Sequence, residues 1–325
     1  MSSDDKREGE GLMFTPTRRR IMNTACEILE HDPEDLLFQH SSLCQTAMPY
    51  RDPKGALRWE RSNGHASLLI ESGSFLDPRT DKWVQAGLPF GSKARLIFAH
   101  LNTRALRADS NIIELEEESF TEFVRTLQGS TKRKKRTAPN GAEIRAYKDQ
   151  LRRFSVVRFS VGHRETGGRV HQSSPQFIEE LDILWNRDSN QRLLWPEKIV
   201  LSAAYWSSLK KHAVPLDARA LRQLSHNALA IDIYCWLAQR LHRISTKERL
   251  VLSRAVLHRQ FGEGYKRERA FWSNGFLPAL RQVHALYAHA RLAVEDDGLH
   301  LFHSLPPIRS RQFFTMGEVR PFKKS

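Results

Sequence analysis

The chain has little of what usually announces a chemistry. Its three cysteines, Cys26, Cys44 and Cys235, are widely spaced, and no CxxC pair exists. A zinc ribbon needs closely paired thiolates, so that class is excluded, and the pattern fits a reducing cytoplasm. No uninterrupted apolar run reaches the length needed to span a bilayer, and no lipid-anchor motif is present, so no membrane partner is expected. The charged stretch Asp4–Glu10 lacks the apolar centre of a signal peptide. The segment Gly87–Lys93 (GLPFGSK) resembles a phosphate loop only superficially. Three residues rather than four separate its glycines, and serine precedes the lysine. A turn before a helix is the expected structure there.

Sequences of the GxSxG and HExxH type are also missing. His300 and His303 would point to opposite faces of a strand, which argues against shared metal ligation. His163 and His171 flank a turn and lack an obvious carboxylate or cysteine partner. His284 falls on an apolar stripe and is read as a core histidine. No catalytic residue, metal site or cofactor is expected, and the chain is read as a non-enzyme.

What the chain has in excess is positive charge. It carries 51 Lys and Arg against 37 Asp and Glu, a formal net charge of +14 over 325 residues. Such an excess concentrates polyanions around a protein and speeds encounter with them, and nucleic acid is the foremost such partner. Arginine dominates, and its planar fork suits phosphate and guanine edges. An apolar content of 40% is enough for real cores, and the length leaves room for two or three domains.

Along the chain, residues 1–47 read as a flexible basic arm containing Thr17–Arg20, followed by a short helix over 21–30. Turn signals at Asp52-Pro53, Asn63-Gly64 and Asp77-Pro78 mark 48–90 as a small β-rich segment. From Gly91 onward the text repeats itself at an offset of 133 residues. Phe98, Leu101 and Ala105 answer to Ile231, Tyr234 and Ala238. Phe123, Val124 and Gly129 answer to Val256, Leu257 and Gly262. Ile144, Tyr147 and Phe154 answer to Leu277, Leu280 and Tyr287, and Phe159 and Val161 to Leu292 and Val294.

In the first copy, apolar spacing predicts a helix over 92–108, a strand at 112–115, helices over 119–128 and 143–153, and two strands around a turn at 162–168. A further strand is expected within 176–185. In the second copy, helices are expected over 227–244, 254–261 and within 266–288, with a strand at 250–252. A hairpin is expected across Asp296-Asp297-Gly298. Helix, strand, helix, helix, strand, strand is the winged-helix order, in which the third helix reads DNA. The expected architecture is thus α+β and mainly helical. It has two tandem winged-helix domains, 91–186 and 187–308, a small N-terminal β-rich segment and a basic tail at 309–325.

Helical periodicity supplies the candidate contacts. With Ile144, Tyr147, Leu151 and Phe154 buried, Arg145, Asp149, Arg152 and Arg153 turn outward and Lys148 lies on the flank. Arginine in a major groove can grip guanine O6 and N7, and Asp149 could accept from a cytosine amino group. In the second copy Asn274-Gly275 and Pro278 interrupt the pattern, so the helix either kinks or starts near Asn274. Lys266, Arg267 and Arg269 then lie at its N-terminal end, where backbone N–H groups favour phosphate. Asn274, Arg281 and Gln282 lie on or near its outer side. The run Lys132, Arg133, Lys134, Lys135 and Arg136 is an exposed loop expected to touch phosphates without sequence choice. Trp185, Trp195, Trp206, Trp236 and Trp272 are read as core or junction residues.

Longer phrases carry a resemblance. LCQT at 43–46, PYRDP at 49–53, WERSNG at 59–64 and LPFGSKARL at 88–96 are followed in order by IRAYKDQL at 144–151. HNALAIDIYCWLAQRLHRI at 226–244 and FLPALRQV at 276–283 complete the series. Over about residues 38–308 the chain resembles plasmid RepA-type replication initiators. The resemblance implies paired winged-helix domains that bind origin repeats called iterons, opening of an adjacent AT-rich segment, and recruitment of the host initiator protein and replicative helicase. It also implies dimers that repress their own promoter, so a homodimer is among the expected states. A repressor with the same fold is the alternative reading, and a DNA-nicking enzyme a more distant one.

Overall fold

The computed structural model describes residues 15–63, 66–77, 80–115, 119–129, 138–164, 170–173, 177–181 and 198–308. The N-terminal region holds α1 (Pro16–Glu30), β1 (Leu36–His40), α2 (Ser41–Gln45), β2 (Arg58–Ser62), β3 (Ala66–Glu71), β4 (Ser74–Asp77) and β5 (Lys82–Gln85). The first repeated stretch holds α3 (Gly91–Ala108), β6 (Ile112–Glu114), α4 (Phe120–Leu127), α5 (Gly141–Val156), β7 (Arg158–Arg164) and β8 (Val170–Ser173), with β9 (Ile178–Leu181) after it. A connecting region supplies β10 (Lys198–Leu201), α6 (Ala203–His212), β11 (Ala213–Asp217) and α7 (Ala218–Gln223). The second stretch holds α8 (Ala228–Arg240), β12 (Arg249–Leu252), α9 (Arg254–Phe261), α10 (Glu268–Ala270), α11 (Leu277–Leu286), β13 (Leu292–Glu295) and β14 (Gly298–Phe302). The fold is α+β, with helices accompanied by several small antiparallel sheets.

The element order expected from the repeat is present in both stretches, but the strands pair differently. In the second, β12, β14 and β13 form one three-stranded sheet in that order. In the first, β6 pairs with β10, and β7 lies between β8 and the N-terminal β3. The reason is competition for partners. The backbone edge of β3 takes β7 into its sheet, with Ala66, Leu68 and Ile70 alternating onto the buried face.

Residues 48–90 hold β2–β5 in two antiparallel pairs, and β2 and β3 share a four-stranded sheet with β7 and β8. One expectation needs correction. Residues 36–47 are not part of an arm: β1 pairs with β11 across Leu36↔Asp217 to His40↔Ala213, and Leu36, Leu37 and Cys44 are buried. The expected short helix at 21–30 is α1, which starts at Pro16 with Thr15 as its cap. The basic tail lies outside the described residues.

The helix α3 is the centre of the core. Phe98 stacks on Phe177 with ring centroids 4.1 Å apart and packs against Phe154, Phe159 and Tyr205. One turn earlier Arg95 is buried, with its side chain 1% exposed. A guanidinium has five N–H donors, and every one is used here. Nε and Nη2 bond the two carboxylate oxygens of Asp232 on α8 at 2.6 and 2.7 Å. Nη2 also donates to the Met48 carbonyl at 2.7 Å, and Nη1 to the Gly91 and Pro49 carbonyls at 2.9 and 3.2 Å. The Tyr50 ring lies 5.0 Å from the guanidinium carbon. One side chain thereby joins the first helix of each repeated stretch to the chain entering from β1.

His100, one further turn along α3, stands edge-on to Phe123 at 5.2 Å, and its Nε2 has no partner among the described residues. Burial, followed by the Coulombic effect of Arg104 and Arg222, pushes its pKa down to about 3. The folded chain therefore holds this imidazole neutral where an unfolded chain would protonate it.

Two outcomes follow. Asp232→Ala leaves a buried, uncompensated guanidinium and should cost about 3–5 kcal/mol in urea denaturation, whereas Arg95→Met with Asp232→Leu should recover much of the loss. The His100 contribution is complete above pH 6.5 and declines as pH falls from 6.5 toward about 3, because only the unfolded state binds the proton. Acid unfolding curves of His100→Leu should therefore show a smaller drop across that window than those of the parent.

Candidate nucleic-acid interface

The third helices of the two stretches present different surfaces. The helix α5 starts with a reciprocal cap: Asn140 Oδ1 accepts from the Glu143 amide at 2.9 Å, and Glu143 Oε2 accepts from the Asn140 amide at 3.2 Å. Tyr147, Leu151 and Phe154 are buried as the periodicity predicts, and Gln150 is buried with them. Gln150 Oε1 accepts from the Phe90 amide at 2.8 Å, which ties α5 to the start of α3.

Arg145 is exposed. Lys148 is half-buried with its ammonium 5.2 Å from the centre of the Phe120 ring, and desolvation holds its pKa below the usual lysine value. Asp149 accepts from Arg152 at 2.6 Å and from Arg153 at 2.8 Å. Both oxygens therefore already serve arginines on the same helix, and an acceptor role toward cytosine would have to share them.

Arg153 also departs from the expected outward position. Its side chain is 12% exposed, donates to the Leu88 carbonyl at 2.9 Å, approaches Asp52 at 3.7 Å and covers the Phe90 ring. The backbone of 88–90 passes over that face of α5 and takes the guanidinium as an internal brace. Arg152 is intermediate, stacked 4.9 Å from the Phe75 ring on β4. The 132–136 run lies outside the described residues.

The second stretch retains more free cations. Ser253 caps α9, and the turn after it is held by the His258 Nε2 bond to the Tyr265 carbonyl at 2.8 Å. Lys266, Arg267 and Arg269 follow, all exposed and without an ion pair among the described residues. The interruption expected at Asn274–Pro278 is neither a kink nor a late start. The helix runs on from α10 to α11 through a π-helical turn at Phe271–Phe276. The Leu277 amide bonds the Trp272 carbonyl five residues back, and this wider turn precedes Pro278, which has no amide to donate.

The wide turn also keeps buried positions at four-residue steps: Phe271, Gly275, Ala279 and Val283, with Trp272, Phe276 and Leu280 beside them. Asn274 and Arg281 remain exposed, and Gln282 is half-buried with its Oε1 unpartnered among the described residues. His284 is exposed rather than in the core, with Nε2 3.2 Å from the Ala290 carbonyl. Trp236 and Trp272 are buried and Trp206 is half-buried; Trp185 and Trp195 lie outside the described residues.

The hairpin β13–β14 brings together a group that sequence spacing did not suggest. His300, buried on β14, has Nε2 2.7 Å from Asp297 and Nδ1 3.3 Å from Glu295. The carboxylates bracket opposite nitrogens of the ring, and the Arg249 guanidinium lies 3.4 Å from Nδ1. The arrangement orients the imidazole inside the hairpin, and ligand atoms from Glu295, Asp297 and His300, one from each, lie within 4.8 Å of one another, close enough for a metal ion to share. Pairing of β13 with β14 across the turn was the only available signal for it.

The architecture is therefore an α+β assembly with a repeated element order and a cationic third helix in each copy. The family profile described as plasmid encoded RepA protein matches residues 88–254, slightly more than half of the chain, and the chain belongs to that family. Two solved structures are similar at 12% sequence identity. The crystal structure of RctB domains 2–3 has a TM-score of 0.47, covering 80% of this chain and 94% of that one. A selenomethionine derivative of domains 2 and 3 of RctB has a TM-score of 0.48, with 80% and 97% covered. No curated protein matches. No helix among the described residues is long and apolar enough to cross a membrane.

The contrast between two arginines on α5 gives a direct check. Arg153→Ala should lower the thermal midpoint, because it removes bonds to Leu88 and Asp149. Arg145→Ala should leave the midpoint unchanged and weaken binding to duplex DNA. Circular dichroism and a gel-shift titration on the same preparations would separate the two effects.

Proposed function

We propose that this member of the RepA family is a sequence-specific double-stranded DNA-binding replication initiator built on two winged-helix units. The observation that carries the reading is the second stretch. There α8, β12, α9, the α10–α11 helix, β13 and β14 follow in winged-helix order, with the three strands in one sheet. Its third helix offers Arg267, Arg269, Asn274 and Arg281 to solvent with Lys266 just before it, and none of these cations has an ion pair among the described residues. A helix of this kind fits a major groove, where arginine and asparagine discriminate guanine and adenine edges. Cations nearer its start contact phosphate and fix the register.

The first stretch supplies a second reader through α5, with Arg145 and Lys148 as the contacts and Arg152 as an auxiliary one. Two readers on one chain bind as a linked pair, so engagement of one raises the effective concentration of the other. The Arg95–Asp232 bond supports this by holding α3 and α8, the first helices of the two units, together. Occupancy of adjacent repeats by several such proteins would strain the intervening duplex, and easily unstacked AT-rich steps yield first. The host initiator and replicative helicase are the partners this reading assigns to the opened origin. The chain's own part is recognition and deformation, with no catalytic step assigned to it.

The test is genetic and then biochemical. A replicon carrying this gene and its flanking DNA should be maintained only while the gene is intact, and supplying the protein in trans should rescue a frameshift. Maintenance without the protein would leave a repressor as the better reading. Arg267→Ala with Arg281→Ala should weaken binding to the footprinted repeat by at least about 1 kcal/mol, the lower bound for a good base contact. Cutting of supercoiled origin DNA by the purified protein with divalent metal would overturn the non-catalytic assignment.

A further inference from the structure

The edge strand β2 lies against α9, outside both winged-helix units as drawn above. We infer that Arg61 of β2 and Arg259 of α9 form a phosphate-binding pair that extends the DNA surface of the second unit onto the N-terminal sheet. The inference rests on the DNA-binding reading and adds to it an element from the opposite end of the chain.

Four observations on this face support it. First, the strand is pinned. Arg61 Nη1 donates to the Arg259 carbonyl at 3.2 Å. The Gln45 carbonyl accepts from both Asn63, just past β2, and Gln260 of α9, each at 3.0 Å. Tyr50 donates its amide to Glu263 at 2.6 Å. The strand and the helix-turn-helix therefore move as one body, so a contact made by β2 is presented in fixed register with those of α10–α11.

Second, Arg61 is laid flat. Its guanidinium carbon is 4.7 Å from the centre of the Trp59 ring, and Trp59 is itself held by its indole N–H bond to the Ala47 carbonyl at 3.0 Å. Stacking fixes the plane of the guanidinium. Nη1 is engaged by the Arg259 carbonyl and Nε is buried without a partner among the described residues, so Nη2 is the donor left for a phosphate oxygen. Third, neither Arg61 nor Arg259 has a carboxylate within ion-pair distance among the described residues, and the Arg259 side chain is exposed. The nearby acids are otherwise engaged: Glu60 pairs with Arg58, and Glu263 faces inward to Tyr50. Fourth, Arg259 of the pair is followed in sequence, after a short turn, by the exposed cations Lys266 and Arg267. A row of guanidinium and ammonium groups without ion pairs among the described residues, on a rigid face, fits the regularly spaced phosphates of a duplex even with Glu263 and Glu268 nearby.

Phosphate contacts are read by salt, not by sequence. On a short duplex of scrambled sequence, each lost contact should lower the slope of log affinity against log salt by about 0.9. The full chain with Arg61→Gln and Arg259→Gln should lose that amount for each residue, and Arg61→Lys should restore most of the first loss because it returns the charge. Arg259→Gln removes no internal side-chain bond, so it reports even if Arg61→Gln disturbs the fold. Lys266→Gln with Arg267→Gln is the reference for the second unit. If the reference variant lowers the slope while the Arg61 and Arg259 variants keep the parent value, the extension is wrong and the DNA reading stands. If none of them changes the slope, the DNA reading itself fails.

Discussion

One buried ion pair holds the arrangement together. Arg95 and Asp232 meet where α3 and α8 cross, and neither could be buried alone without a cost of several kcal/mol. Such a pair contributes little net stability compared with well-packed apolar side chains of the same shape. Its effect is to define position. Two bonds to one carboxylate and three to main-chain carbonyls admit a single orientation of α3 relative to α8 and to residues 48–50. Each helix is the first of its repeated stretch. A duplicated chain could join its copies by a flexible linker, but here the joint is a set of directional bonds in a dry interior.

The two repeated stretches differ in how they use their cations. On α5 an aspartate one turn before two arginines draws both of them onto the helix surface, and the passing backbone of Leu88 captures one. On α10–α11 the corresponding acidic residue is missing, and the cations stay free. The π-helical turn contributes to the same end. With the spiral widened at Phe271–Phe276, Phe271, Gly275, Ala279 and Val283 lie inward at four-residue steps while Asn274 and Arg281 lie outward. A strict 3.6-residue spiral would have carried the buried stripe around the helix.

Local periodicity made much of the second stretch legible. The bounds of α9 and the pairing of β13 with β14 across Asp296-Asp297-Gly298 follow from caps, turn residues and apolar spacing, all within a few residues of each other. The misreadings arose where distance or chemistry overrode the wheel. Arg153 sits at an outward angle, yet segment 88–90 crosses that face and buries it. Strand β1, Leu36–His40, is short and bordered by polar residues, and its partner β11 lies far along the chain. Strand β3 alternates cleanly, but nothing local says that β7 will cover it. The wheel places His284 inward with Leu277 and Leu280, but the buried face of α11 is Ala279, Leu280, Val283 and Leu286, which leaves Leu277 half-buried at its edge and His284 exposed. Of the candidate contacts, Arg145, Lys266, Arg267, Arg269, Asn274 and Arg281 could be found because exposure there follows from the helix alone.

The five-fold engagement of Arg95 bears on how the molecule can be dissected. The family match opens at residue 88, and the repeat opens at Gly91. A fragment cut at either point would retain the guanidinium and Asp232 but lose the Met48 and Pro49 carbonyls, along with the strand that covers β7. Orphaned donors would then sit in the middle of the core. The smallest piece that can fold intact, or be exchanged between relatives as a cassette, is therefore larger than either repeated stretch, and it begins before Leu36.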